Sequence, residues 1–114
     1  MAETFGGIGR VVWHSQIPPL ICDPIVVKQM TKYIQELPIP GLQLHSGAEA
    51  NASEDFALIA EQIPSAFFYL SAGFPDARGE VTAHNPKVQF HEDVLPIGTA
   101  ALAYCAMRWL QENH

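Results

Sequence analysis

A chain of 114 residues makes one small domain or part of a larger one, and at 48% hydrophobic against 16% charged it has few polar residues to cover a small domain's surface. Its formal charge is −6, and its six bases (Arg10, Lys28, Lys32, Arg78, Lys87, Arg108) are scattered, which argues against binding nucleic acid or an anionic membrane surface. No apolar run approaches the roughly 20 residues of a membrane helix, and Met1 to Gly6 carries no basic region ahead of an apolar core, so neither a membrane span nor a secretory leader is expected.

In chain order, residues 1–6 suit the last turn of a helix stopped by Gly6-Gly7. Residues 8–14, with Val11, Val12 and Trp13, suit a strand that Pro18-Pro19 ends. Asp23-Pro24 is a helix-start signal, an N-cap acceptor followed by proline at the first helical position. Val26, Met30, Tyr33 and Leu37 then recur at four- and three-residue spacings as one apolar stripe, with Lys28, Lys32, Gln35 and Glu36 outside it. Pro38 and Pro40 stop that helix, residues 41–44 suit a short strand, and residues 45–50 suit a loop. Asn51 followed by Glu54 resembles a capping box for a helix with Phe56, Ile59, Ala60 and Ile63 on its buried side. Residues 65–71 are an unbroken apolar run that suits a strand buried on both faces. After a polar loop and His84-Asn85-Pro86, one long helix runs from Val94 to about Gln111. Pro96 lies in its first turn, Glu92 and Asp93 stand at its positive end, and apolar residues surround most of its girth, which predicts burial. The alternation of strands and helices predicts α/β layering.

Three places carry candidate chemistry. Ser53-Glu54-Asp55 sets two adjacent carboxylates at a helix start, where they could act as acid, base or metal ligand, or simply stabilise the helix N-terminus by roughly 0.3–1 kcal/mol each. His84 lies in a loop after the buried run, a position suited to a crevice, and a neutral imidazole is a common metal ligand. One histidine is not a metal site, however, and no neighbour has ligand spacing. His91-Glu92-Asp93 reads as a solvated helix cap, and His14 and His45 as structural or solvated. Cys22 and Cys105 lack metal-ligand spacing and read as free thiols in a cytoplasmic protein.

Taken in order, these segments resemble a known family. Glu3-Thr4-Phe5-Gly6, Pro18-Pro19-Leu20 and Cys22-Asp23-Pro24 are similar to the lid exit of the metal-dependent amidohydrolases of hippurate-hydrolase and aminoacylase type. Ser53-Glu54-Asp55-Phe56-Ala57, the run from Ile63 to Leu70, His84-Asn85-Pro86 and Phe90-His91-Glu92-Asp93 resemble that family's later motifs. The resemblance implies a partial three-layer sheet-and-helix fold, the C-terminal portion of a zinc-aminopeptidase-like catalytic domain. Residues 1–15 would be a remnant of the lid (dimerisation) domain and residues 16–114 the catalytic portion. It implies hydrolysis of N-acyl amino acids or related amides at a two-metal centre of zinc or manganese that activates water. His84 would be a metal ligand, and Ser53, Glu54 and Asp55 would line the substrate site. The family's other ligands and its general-base glutamate come from a region before the lid, so no catalytic residue is expected in this chain. The lone chain is then expected to bind no metal, to be inactive, and to associate with further copies or with a missing N-terminal half. A non-catalytic binding or assembly module that keeps the fold is the alternative.

Overall fold

The first well-built element grows from Asp23. Its carboxylate accepts hydrogen bonds from the backbone N–H groups of Ile25 (2.8 Å) and Val26 (3.0 Å), and Pro24 fills the first helical position, where no N–H partner is needed. In the computed structural model, which describes residues 3–14, 16–45, 47 and 52–113, this helix is α1, Pro24–Gln35. The expected stripe faces inward: Tyr33 and Ile34 are buried, and Val26, Met30 and Leu37 are half-buried. A four-residue helix, α2 (Ala57–Ala60), follows, and then the long α3 (Leu95–Glu112) with Pro96 in its first turn. Single 3-10 turns lie at Glu3–Phe5, Ala77–Glu80 and Glu92–Val94.

α1 and α3 pack on each other, and their polar ends hold the pairing. Glu36 accepts from Arg108 Nε (2.9 Å) and from the Tyr104 hydroxyl (3.0 Å). Tyr33, fully buried, donates its hydroxyl proton to Glu112 at 2.5 Å and accepts from Gln29 at 2.7 Å. Arg108 also bonds Glu112 at 3.0 Å and lies 5.1 Å from the centre of the Tyr33 ring. These bonds hold Glu36 and Glu112 below the usual carboxylate range, through Arg108 at the first and the Tyr33 hydroxyl at the second. Burial, and next the bond to Glu112, pushes the Tyr33 phenol up. The buried core is Tyr33, Ile34 and Ala57 among the described residues.

The expected α/β layering is not what these residues form: no strand exists among the described residues. The reason is that a strand is a paired object, and the three expected segments find no ladder partner. Residues 8–14 run exposed and make no backbone–backbone hydrogen bonds among the described residues. Residues 41–44 follow a turn, in which Gly41 takes a positive φ of 76° and Leu42 N–H donates back to Ile39 O at 3.3 Å. Residues 65–72 are tied at their ends, by Asp23 N–H to Ser65 O and His91 N–H to Ala72 O (both 2.8 Å), and residues 66–71 carry no backbone–backbone bond between those ties. The three-layer sheet-and-helix expectation is therefore replaced by a helix pair with long extended connections.

The predicted burial of α3 also fails, since none of its residues is buried. Apolar residues surround much of its girth, but among the described helices α1 alone covers one side of it. The chain as a whole is thin and wide, with extents of 67 × 44 × 20 Å. The short dimension is about two helix diameters. The radius of gyration is 19.7 Å, against ~13 Å for a compact domain of this length. The accessible surface is 9843 Å², whereas a compact protein of this mass exposes ~6,200 Å².

Candidate functional site

His84 sits in a tight turn after the Ala77–Glu80 turn, and its backbone is the one left-handed non-glycine conformation among the described residues, with φ 68°. A left-handed backbone is uncommon outside glycine, although histidine tolerates it better than most residues, and such conformations concentrate where function fixes the chain. Asn85 supports the turn: its side-chain oxygen accepts from Lys87 N–H at 2.9 Å and its carbonyl from Val88 N–H at 3.0 Å. The His84 side chain is exposed and makes no hydrogen bond to another described residue.

Ser53, Glu54 and Asp55 precede α2. Glu54 is half-buried and its Oε1 accepts from Phe56 N–H at 3.1 Å, a local cap that starts the turn. Ala57 N–H donates to Glu54 O and Leu58 N–H to Asp55 O, at 3.1 and 3.0 Å. Ser53 and Asp55 are exposed. The capping partner expected at Asn51 lies outside the described residues. The bland role of these acids, holding a helix start, is thus visible for Glu54, while no hydrogen bond or ion pair joins any of the three to His84 among the described residues.

The segment that precedes the His84 turn is closed by contacts of its own. Asp76 forms a two-pronged ion pair with Arg78, whose Nε and Nη2 lie 2.9 and 2.6 Å from its oxygens, and also accepts from Arg78 N–H at 3.0 Å. Arg78 holds the Asp76 carboxyl well below its usual range, at about 2. The guanidinium lies 3.7 Å from the Phe74 ring centre, and His91 stacks on the same ring at 4.9 Å. His91 stands at the N-cap of the Glu92–Val94 turn beside the exposed Glu92 and Asp93, as expected, but is half-buried against Phe74, and its Nδ1 is 3.7 Å from the Asp93 carboxylate. The two-residue spacing of Asp76 and Arg78, a familiar turn-closing pair, was the available signal. Gly79 is required there: a Cβ would fall 2.1 Å from the Phe74 carbonyl oxygen. His14 and His45 are exposed, as expected.

A separate open groove of about 480 Å³ lies between the 19–24 segment and the 57–64 segment, lined by Pro19, Ile21, Cys22, Ala57, Ile63 and Pro64 among others. Its walls are mostly apolar, and His84 is not among them. No group of three or more His, Cys, Asp or Glu side chains that could hold a metal ion exists among the described residues. A catalytic metal needs three or four donors, so the described residues do not by themselves fit a metal ion.

The family model for peptidase family M20/M25/M40 matches residues 9–108. The chain belongs to this family. M20 members generally bind divalent metals and include amide hydrolases, in line with the resemblance of the ordered motifs. Among curated proteins, the chain is 34% identical over 98 residues to "IAA-amino acid hydrolase ILR1-like 2" of Arabidopsis thaliana, covering 85% of this chain and 22% of that protein. It is 37% identical over 62 residues to "IAA-amino acid hydrolase ILR1-like 6" of the same plant, covering 54% of this chain and 13% of that one. A third relative, "Uncharacterized hydrolase y4tI" of Sinorhizobium fredii (strain NBRC 101917 / NGR234), is 30% identical over 106 residues, 92% of this chain and 26% of the relative. The M20 chain thus spans about a quarter or less of the length of these relatives. No solved structure matches it. No helix among the described residues is long and apolar enough to cross a membrane.

Proposed function

We propose that this chain is the part of an M20 amidohydrolase that carries one ligand of a divalent-metal centre, His84, while the remaining ligands and the general base lie outside it. The left-handed backbone of His84 carries this reading, because an exposed imidazole on a turn closed by Asn85 suits a ligand presented to donors from elsewhere. Zinc or manganese is the proposed metal. Ser53, Glu54 and Asp55 are proposed to line the substrate site, Glu54 through its turn-capping position and Ser53 and Asp55 through their exposure. The proposed substrates are N-acyl amino acids and related amides, supported by two relatives whose names describe hydrolysis of amino-acid conjugates. Alone, the chain is proposed to be inactive. Residues 1–15 are read as a lid remnant and residues 16–114 as the C-terminal portion of the catalytic domain, in a cytoplasmic enzyme whose two thiols are free.

The test is a metal-content and hydrolysis assay on N-acyl amino acids. The lone chain and the chain joined to the rest of an M20 hydrolase are compared, each with and without His84→Ala. The joined protein is expected to hold metal and turn over, and His84→Ala to remove most of both. Stoichiometric metal or turnover by the lone chain would sink the reading. Metal and turnover untouched by His84→Ala would sink the ligand assignment, and a joined protein with neither would favour the binding or assembly module.

A further inference from the structure

α3 meets α1 through four side chains. Tyr104 and Arg108 bond Glu36, Glu112 accepts from the Tyr33 hydroxyl, and the Cys105 thiol meets Met30 O at 3.8 Å. The opposite side carries Leu95, Thr99, Leu102, Ala106 and Trp109, at alternating four- and three-residue spacings. Such a repeat keeps one stripe turned to one neighbouring helix along its length. All five residues are exposed, Leu102 most of all at 78%. No charge interrupts the stripe, because the two charged side chains of α3, Arg108 and Glu112, are engaged by α1. Its order is large, small, large, small, large, with Leu102 in the middle, so it reads the same from either end. A surface of that kind is complementary to itself about a two-fold axis through Leu102, each small residue leaving room for the other helix.

Area and charge agree with a second copy as the occupant. Leu95, Leu102, Trp109 and the flanking Leu110 are 62%, 78%, 45% and 49% exposed, and the half-exposed Leu70 reaches within 2.9 Å of where a Cβ on Gly98 would stand. Together they expose on the order of 600 Å², at ~200 Å² for a large side chain, which meets the low end of the ~600–1,000 Å² that each partner gives to a specific interface. Glu92 and Asp93 settle the direction. A parallel pair would gather four acids at one end. An antiparallel pair sets them about 27 Å apart, along 18 residues, well beyond the ~8–10 Å screening length of ordinary salt. We propose that the chain forms a symmetric dimer by antiparallel pairing of α3 with α3 of a second copy. The two-fold axis passes at Leu102, and Leu95 of each copy lies against Trp109 of the other. Side-chain burial alone holds the pair, and the −6 charge of each chain opposes it. This pairing goes beyond the functional reading and does not depend on it.

Sedimentation equilibrium of the chain, from about 1 to about 500 µM, tests this. The expected result is a monomer–dimer equilibrium with a Kd on the order of 10 µM, as suits so small an interface, and it should tighten as salt rises from roughly 0.05 to roughly 0.5 M. Leu102→Glu and Leu102→Lys should each weaken pairing about tenfold or more, because like charges then face each other across the axis. Their helical circular dichroism should match the parent's, since Leu102 is exposed. An equal mixture of the two variants should pair again as a heterodimer. Trp13→Glu, at an exposed apolar position outside α3, and His84→Ala should leave pairing unchanged. A chain that stays monomeric over the whole range, its stripe left to some other body, would overturn the proposal. So would a dimer indifferent to Leu102→Glu, one lost with Trp13→Glu, one that salt weakens, or a mixture of the two charged variants that fails to pair.

Discussion

Two single residues here do work that their neighbours cannot take over. Asp23 satisfies two otherwise unpaired N–H groups at the start of α1. Asp23→Ala is expected to cost about 1 kcal/mol, seen as a lower urea midpoint followed at the helical circular-dichroism band. Gly79 lies where a methyl group would strike the Phe74 carbonyl, a backbone atom that cannot swing aside. Gly79→Ala should unseat the Arg78–Phe74–His91 stack, read as loss of the ring-current shifts of Arg78 protons in NMR, with α1 and α3 unchanged. At this scale the sequence was most legible where one side chain acts on its own backbone: the Asp23-Pro24 start and Pro96 in the first turn of α3 were both foreseen. His91 was not, because its partner Phe74 lies 17 positions away in sequence, and no local pattern marks such a contact.

Among the elements, the α1–α3 pairing is the one that stands by its own contacts. Ile34 is buried in the last turn of α1, and Ile34→Ala should cost about 2 kcal/mol, the low end for such truncations, because so thin a structure can relax into the space. The pairing should also be acid-labile. Glu36 and Glu112 release their protons at lower pH in the folded pair than the usual 4.5, so between those values the unfolded chain binds more protons. Their contribution is complete above about 4.5 and is lost as pH falls through the lowered folded values. Thermal midpoints measured from pH 7 down to 3 should therefore be flat and then drop below 4.5, and Glu36→Gln should flatten part of that drop. The α1 stripe was legible from period alone, since a helix makes its own hydrogen bonds. The strands were not delivered, since the run at 65–71 supplies strand-like residues but half of every strand is its neighbour.

For the molecule as a whole, apolar composition is matched by the open shape. Only Tyr33, Ile34 and Ala57 are buried among the described residues, although nearly half the sequence is hydrophobic. The lone chain is expected to scatter X-rays with a radius of gyration near 20 Å, well above the ~13 Å of a compact domain, and to bind a hydrophobic dye in native buffer. A radius near 13 Å would show that the exposed faces close on themselves. The candidate site follows the same logic. His84 and the Ser53–Asp55 acids were visible as residue types in suitable loops, but whether donors converge depends on tertiary placement that no local pattern marks.

The unpaired backbone at residues 66–71 has a consequence for the chain in concentrated solution. Ala66-Phe67-Phe68-Tyr69-Leu70 is aromatic, uncharged and free of proline, held taut at both ends with its amides unengaged by the described residues. Identical segments from many chains could stack along it into fibrils, and the −6 charge opposes that association. Fibril formation, followed by thioflavin fluorescence, should accelerate with protein concentration and as acid removes that charge. Phe68→Lys should slow it strongly, as a gatekeeper charge does in the middle of such a run.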